Sequence, residues 1–323
     1  MTSGNQIATP FATASAAGGR SHNEDAHGAL EHGGTRCFVV ADGLGGHRGG
    51  EVASQAAVRA ILESFREDPA VSPAHVRRHL EAAQSAVCDC QKRDERLASC
   101  RSTAVVLLIR GPNACWGHVG DTRLYWFRGG RTIFQTADHS VPQALASAGE
   151  IEVDEIRAHP DRNRLLRSLG NAERFEPAVA SEVARVEPGD AFLLCTDGFW
   201  ELVVEAEMAQ LLVSTSSPRD WMDLMVGHLC AAAPEGHDNF TGTAVRIQGE
   251  TTVLGLTQQV RAVLLLVVSA AAVLGWIWLI WIAGQDGDEV EVSPPPEPEV
   301  LREAVPPAIV AEPVAPVAPL GEP

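Results

Sequence analysis

The chain has 323 residues, 45% of them hydrophobic, which supplies one sizeable core or two small ones. A formal net charge of −17 argues against wrapping nucleic acid. The seven cysteines are scattered, odd in number and without a CxxC pair, which argues against a disulfide framework or a zinc site and reads as reduced thiols in a cytoplasmic domain.

Residues 1–19 are small and polar, with no apolar stretch of a secretory leader. The spacing predicts a first strand within 6–17, followed by a polar loop, Arg20-Ser21-His22-Asn23-Glu24-Asp25, that carries a guanidinium and two adjacent carboxylates. A β-rich apolar run at 36–41 predicts a buried strand. It ends at Asp42-Gly43-Leu44-Gly45-Gly46-His47. A carboxylate at a strand end, beside glycines that bare the backbone, suits a hard cation: Asp42 offers two oxygens and Gly43 an unobstructed carbonyl. The same residues also suit a plain strand-to-helix turn.

Apolar residues at helical spacing predict a helix over 50–65, and Pro73 in a first turn opens a second that extends to about residue 97. Both are amphipathic and are expected to lie on one face of a sheet. Strands follow at 102–109, 114–119, 123–127 and 131–136, the last two joined by the hairpin Arg128-Gly129-Gly130. Asp121 sits in an acidic turn between the second and third. A short helix is predicted at 140–148 with Pro142 in its first turn, while 149–176 is loop-rich. Strands at 178–186 and 191–196 are split by Pro188-Gly189, and the second ends in Asp197-Gly198, repeating the pattern at Asp42. Helices at about 204–213 and 218–232 precede Gly236-His237-Asp238-Asn239 and a last strand at 241–247.

Residues 262–284 carry no charge and are long enough to cross a bilayer. Trp276, Trp278 and Trp281 cluster where an interfacial belt would lie, Arg261 precedes the run and acids follow it, so the preceding domain is expected on the cytoplasmic side. From Gln285 onward nine acids face one Arg, and ten prolines make an extended, solvated tail the expectation. The division is therefore a domain over 1–250, a linker over 251–261, a transmembrane helix over 262–284 and an acidic Pro-rich tail over 285–323.

Neighbouring strand ends of a sandwich bring acidic turns together, and clustered carboxylates repel until cations relieve them. Two divalent ions about 3.5–4 Å apart that share a carboxylate and a water would yield hydroxide near neutral pH, and all-oxygen ligation favours Mg or Mn.

Arg20-x-x-Asn23-Glu24-Asp25, Asp42-Gly43-x-Gly45-Gly46-His47, Ser102-Thr103, Gly120-Asp121-Thr122-Arg123, Asp138-His139-Ser140, Arg167-Ser168-Leu169-Gly170, Asp197-Gly198 and Gly236-His237-Asp238-Asn239, in that order, resemble the bacterial metal-dependent protein phosphatases of the protein phosphatase 2C-like family. The resemblance covers roughly 6–248. It implies an α+β fold, a four-layer αββα sandwich of two antiparallel sheets with metals in a cleft at one edge. It implies hydrolysis of phosphoserine and phosphothreonine in proteins by a metal-bridging hydroxide, with two Mn2+ or Mg2+ ions and a weaker third. Asp42 would bridge both metals and Gly43 would give a carbonyl. Asp197 and Asp238 would complete one metal, and Asp121 would ligate the third. Glu24 and Asp25 would hold metal-bound waters, and Arg20 would bind the substrate phosphate. His159, Arg162, Asn163 and Arg164 fall in the segment that resembles the family's flap over the cleft, and Arg167 reads as structural. Some relatives carry a histidine, proposed as general acid, where this chain has Leu44; His47 reads as a turn residue, which leaves leaving-group protonation to metal-bound water. Partners would be phosphorylated proteins, substrates of a serine/threonine kinase, met at a bacterial inner membrane. The alternative is a non-catalytic phosphoprotein-binding sensor or scaffold on the same fold.

Overall fold

In a computed structural model, residues 8–45 and 49–249 are described. In chain order the strands are β1 (Phe11–Ala16), β2 (Ala26–His32), β3 (Thr35–Ala41) and β4 (Gly43–Leu44), then α1 (Gly49–Glu67) and α2 (Pro73–Arg93). After a 3-10 turn at Glu95–Leu97 come β5 (Arg101–Ser102), β6 (Ala104–Arg110), β7 (Asn113–Val119), β8 (Arg123–Arg128) and β9 (Arg131–Gln135). The remainder is α3 (Val141–Ser147), a 3-10 helix at Val153–Ala158, β10 (Ala178–Val179), β11 (Ala184–Arg185), β12 (Ala191–Cys195), α4 (Asp197–Trp200), α5 (Glu205–Ser214), α6 (Pro218–Ala232) and β13 (Phe240–Arg246).

Two large antiparallel sheets result, beside a small one in which β4 pairs with β5. One runs β1-β13-β12-β8-β9, the other β10-β7-β6-β3-β2 with β11 also on β7. Alternation along β3 shows why they stack. Cys37, Val39 and Ala41 point to one side, where Ala53, Ile61 and Phe65 of α1 and Leu80 and Val87 of α2 cover them. Phe38 and Val40 point to the other side, against Leu124, Phe192, Leu194 and Val245 of the facing sheet. The far side of that sheet, with Tyr125, Phe127, Leu193 and Ala244, is closed by Trp221, Met222 and Met225 of α6. Helices, sheet, sheet and helices thus make the expected αββα sandwich, with three apolar layers between them.

The predicted helix starts hold. Ser72 caps α2 by accepting from the His75 N–H, and Ser140 caps α3 by accepting from the Gln143 N–H, each followed by proline within the first turn. The α2 helix is shorter than the spacing suggests, ending at Arg93, with residues 95–97 in the 3-10 turn. The predicted strand over 102–109 divides at Thr103, and that over 178–186 divides into β10 and β11. Among the elements the sequence did not signal are two that flank the site. The β2 strand, Ala-His-Gly-Ala-Leu-Glu-His, is an edge strand with much of its surface exposed, and α4 is a single turn. The apolar run 262–284 and the tail lie outside the described residues, among which no helix is long and apolar enough to cross a membrane.

Candidate metal centre

Backbone bonds fix Asp42 where β3 leaves its sheet. Its N–H donates to Thr103 Oγ1 (3.1 Å), and its carbonyl accepts from the Thr103 N–H (2.8 Å) and Ser102 Oγ (2.7 Å). Ser102-Thr103 is therefore the clamp behind the carboxylate. Gly43 then pairs with Ser102 at the start of β4. A Cβ on Gly43 would overlap the carbonyls of Gly50 and Glu24, so only glycine lets the three segments cross here.

The C-terminal half supplies the opposing acids. Asp197 follows β12 and opens α4, with one oxygen accepting from the Gly198 N–H (2.6 Å). Asp238 lies just before β13; one oxygen accepts from the Asn239 N–H (2.8 Å) and the other pairs with Arg20 Nη2 (3.0 Å). Asn239 stitches in the loop that carries Arg20 to Asp25: its Oδ1 accepts from the Glu24 N–H, and its Nδ2 donates to the carbonyls of Ala17 and His22. Asp121 is held by its own backbone. Trp200 Nε1 donates to the Asp121 carbonyl (3.0 Å), and the preceding Gly120, at φ 99°, exchanges two bonds with His139, donating to Nδ1 (3.2 Å) and accepting from the backbone N–H (2.9 Å).

Arg20, Glu24, Asp42, Asp121, Asp197 and Asp238 all line one cleft of about 200 Å³, together with Gly43, Leu44, Asn163 and Leu165. Asp25 is the exception among the predicted site residues. It is buried away from the cleft lining, where one oxygen accepts from Thr196 Oγ1 (2.9 Å), and its charge is near enough to raise Asp42. No histidine lines the cleft among the described residues; His47 lies outside them. Arg162 pairs with Glu201 (2.6 Å) and Arg167 with Glu176 (2.7 Å); neither lines the cleft.

The electrostatics test whether cations fit. Burial, and then the facing carboxylates of Asp197, Asp25, Asp121 and Asp238, push Asp42 well above the usual carboxylate range. Burial, then Asp121, Glu201 and Asp238, do the same to Asp197. Asp121 is pushed up to about 7 by burial and then by Asp138, and Asp25 to about 6 by burial. One oxygen each of Asp25 and Asp121 is buried with no hydrogen-bond partner. Negative charge packed this tightly is neutralised by protons or by cations, and the all-oxygen donor set, a bare Gly43 carbonyl included, suits Mg2+ or Mn2+. As placed, no three His, Cys, Asp or Glu side chains among the described residues close on a single point. Asp238 is drawn to Arg20, and Asp197 and Asp238 each turn an oxygen to the next backbone N–H.

Glu201, one helical turn after Asp197, also acts on this centre, since its charge raises both Asp121 and Asp197. Sequence reasoning did not place it because α4 was not recognised; its signal is the i, i+4 spacing from Asp197.

Comparison with known proteins follows this geometry. A protein-family model described as "Protein phosphatase 2C" matches residues 14–229. The serine/threonine phosphatase stp of Listeria welshimeri is 32% identical over 228 residues, 69% of this chain and 89% of that protein. The Mycobacterium tuberculosis protein phosphatase PstP is 31% identical over 194 residues, 60% of this chain and 36% of that one. Among solved structures, the serine/threonine phosphatase PstP/Ppp of M. tuberculosis superimposes with a TM-score of 0.66 at 27% identity, covering 75% of this chain and 99% of that one. A catalytic domain of PstP crystallised with two manganese ions superimposes at 0.63 with 26% identity, over 75% and 99%.

Proposed function

Since this chain belongs to the protein phosphatase 2C family and is a metal-dependent serine/threonine protein phosphatase, we propose that it hydrolyses phosphoserine and phosphothreonine of other proteins at the Asp42 cleft, held at a membrane by residues 262–284. The observation that carries this reading is the convergence of Asp42, Asp121, Asp197 and Asp238, drawn from separate parts of the chain, on one cleft with Arg20 at its side.

Asp42 would be shared between two divalent ions, with the Gly43 carbonyl, Asp197 and Asp238 completing their shells and Asp121 holding a third. Bound there, the ions supply Lewis acidity and a water acidic enough to provide hydroxide near neutral pH. Glu24, on the cleft wall, and Asp25, buried near Asp42 with one unpartnered oxygen, would hold metal-bound waters. Arg20 is half-exposed and free to turn from Asp238 towards a substrate phosphate, where a planar guanidinium meets two oxygens at once. With Leu44 and, among the described residues, no histidine on the cleft wall, the leaving serine or threonine oxygen would take its proton from water. The substrates would be phosphoproteins made by a serine/threonine kinase.

The test is hydrolysis of a phosphothreonine peptide by the full chain with manganese, magnesium or a chelator; equal activity in chelator rejects the proposal. In the same assay Arg20→Ala is expected to raise KM more than it lowers kcat, because a contact made in ground and transition state alike is uniform binding. Losing one charge-assisted bond costs about 1.5–3 kcal/mol, or roughly ten- to 150-fold in kcat/KM. If Arg20 serves only to hold Asp238, metal affinity and kcat fall together and KM stays put; calorimetric metal titration separates the two.

The membrane part rests on the uncharged run at 262–284, with Arg261 before it and acids after. A reporter active only in the cytoplasm is expected to work when fused at the N-terminus and to fail at the C-terminus. The reverse pattern would place the catalytic domain outside and reject the cytoplasmic assignment.

A further inference from the structure

A space wider than the carboxylate cleft lies elsewhere in the domain. It is a cavity of about 780 Å³ at an open edge of the sandwich, between β7, the residues after β9, α3 and β10–β11. It exists because β7 is flanked there only by two-residue strands, and because Ala178, Ala180 and Ala184 leave unfilled the space a larger side chain would take. Its volume is in the range that receives a cofactor- or drug-sized molecule.

The walls specify what would fit. Trp116 and Phe134 meet at 4.9 Å between ring centroids on one side. On another, His118 and His139 are stacked at 4.6 Å with only 15° between their planes. Flat surfaces of this kind receive a flat ring. His139 adds direction. Burial, then the neighbouring His118, lowers its pKa to about 3, so the ring is neutral. Its Nδ1 already accepts from the Gly120 N–H, which places the ring proton on Nε2. That N–H has no hydrogen-bond partner among the described residues. Gln143 and Ser147 of α3 add side-chain hydrogen-bonding groups at the same wall.

We propose that this cavity is a second binding site, for a flat aromatic molecule that presents a hydrogen-bond acceptor to His139, and that its occupant acts on the turn carrying Asp121. The link is short. His139 forms part of the cavity wall and exchanges two hydrogen bonds with Gly120, and the next residue is Asp121 in the metal cleft. A ligand that shifts the His139 ring changes the grip on that turn. The binding half stands on the cavity alone; the coupling half rests on the reading of Asp121 as a metal ligand.

The probe is anilinonaphthalene sulfonate, an aromatic molecule whose sulfonate oxygens are acceptors, followed by its fluorescence with the full chain. Binding is expected to saturate at one site per chain and to persist in Asp42→Ala. Ser147→Trp, at an exposed rim position, and Ala180→Phe, in the wall, are each expected to weaken it by about tenfold or more by filling the space. Saturating probe is expected to change manganese affinity by about fivefold, and manganese to change probe affinity by the same factor. Absent or unsaturable binding, or equal binding by the wild type and Ser147→Trp, overturns the site. Site-specific binding with manganese affinity unmoved overturns the coupling. Asp121→Ala, titrated with manganese in the absence of probe, tests the metal reading separately: unchanged metal affinity there rejects the ligand assignment and leaves the cavity standing.

Discussion

Asp42→Ala is expected to abolish phosphatase activity and to lower metal occupancy throughout the centre. Asp42 leaves β3 with Asp197, Asp25, Asp121 and Asp238 all near enough to raise it, which suits a ligand shared between ions. Forfeiting the Lewis acidity of a displaced ion costs several kcal/mol, or about a thousandfold or more in rate. Asp197→Ala is expected to inactivate as well, but to retain part of the bound metal, because that residue would serve one ion of the pair. The two effects are read from kcat on a phosphothreonine peptide at saturating manganese and from calorimetric titration of the same preparations. Misfolding predicts a different result. Removing Asp42 relieves repulsion among buried carboxylates, so the metal-free variant should melt no lower than the metal-free wild type. Near-normal turnover in Asp42→Ala would sink the shared-ligand assignment.

The second large effect is on stability. Arg123 and Asp138 form a two-pronged ion pair, Nε to Oδ1 at 2.9 Å and Nη2 to Oδ2 at 2.7 Å, with side chains only 4% and 2% exposed. The guanidinium also lies over the Trp200 ring at 3.5 Å, and Tyr125 Oη accepts from its Nη1. Asp138→Ala would leave that buried charge with only Glu205, 3.5 Å from Nη1, as an acidic partner, at a cost of about 3 kcal/mol. For a domain of this size that lowers Tm by roughly 10 °C. Replacing both partners, as in Arg123→Met with Asp138→Leu, removes the stranded charge and should recover much of the loss. Thermal unfolding of the single and double variants checks this, and an unchanged Tm for Asp138→Ala contradicts it. Trp200 also holds the Asp121 carbonyl, so the single variant should weaken manganese binding even at temperatures where it stays folded.

The carboxylate cleft was legible in the sequence because its signals are local. Asp42 and Asp197 each end an apolar run and each precede a glycine, and those runs are the buried strands β3 and β12. The sandwich was legible for a related reason: Phe38 and Val40 alternate with Cys37, Val39 and Ala41, and both sets are apolar, so the strand must be covered on both faces. The β2 strand escaped because it alternates little between apolar and polar, with Ala29 on the exposed side and Gly28 on the inner one. Other features depend on residues far apart in the chain, and no local pattern encodes them. Asp25 turned out to be buried against Thr196 and not in the cleft wall, Arg20 to pair with Asp238 across 218 positions, and Gly120 to be gripped by His139. The large cavity is defined by side chains that are too small to fill it, and a run of alanines marks an open space no differently from a tight one.

The order of strands in the first sheet bears on how the protein is made. The penultimate position, between β1 and β12, belongs to β13, and the register joins Phe11 to Val245. While the ribosome is still adding residues short of β13, β1 has no neighbour to pair with, and the Asp238 corner of the cleft does not yet exist. Contacts of this sequence separation form late and slowly, since a long loop must close before they repay it. The nascent chain thus passes most of its synthesis without a finished domain, exposing apolar strands that need protection from aggregation. The bridge between Ala8 and Gln248 brings the two ends of the folded domain side by side. Rejoining them through a short linker and opening the chain at the Arg128-Gly129-Gly130 hairpin would make β13 an early strand, a rearrangement that alters the order of assembly while keeping every rung of the sheet.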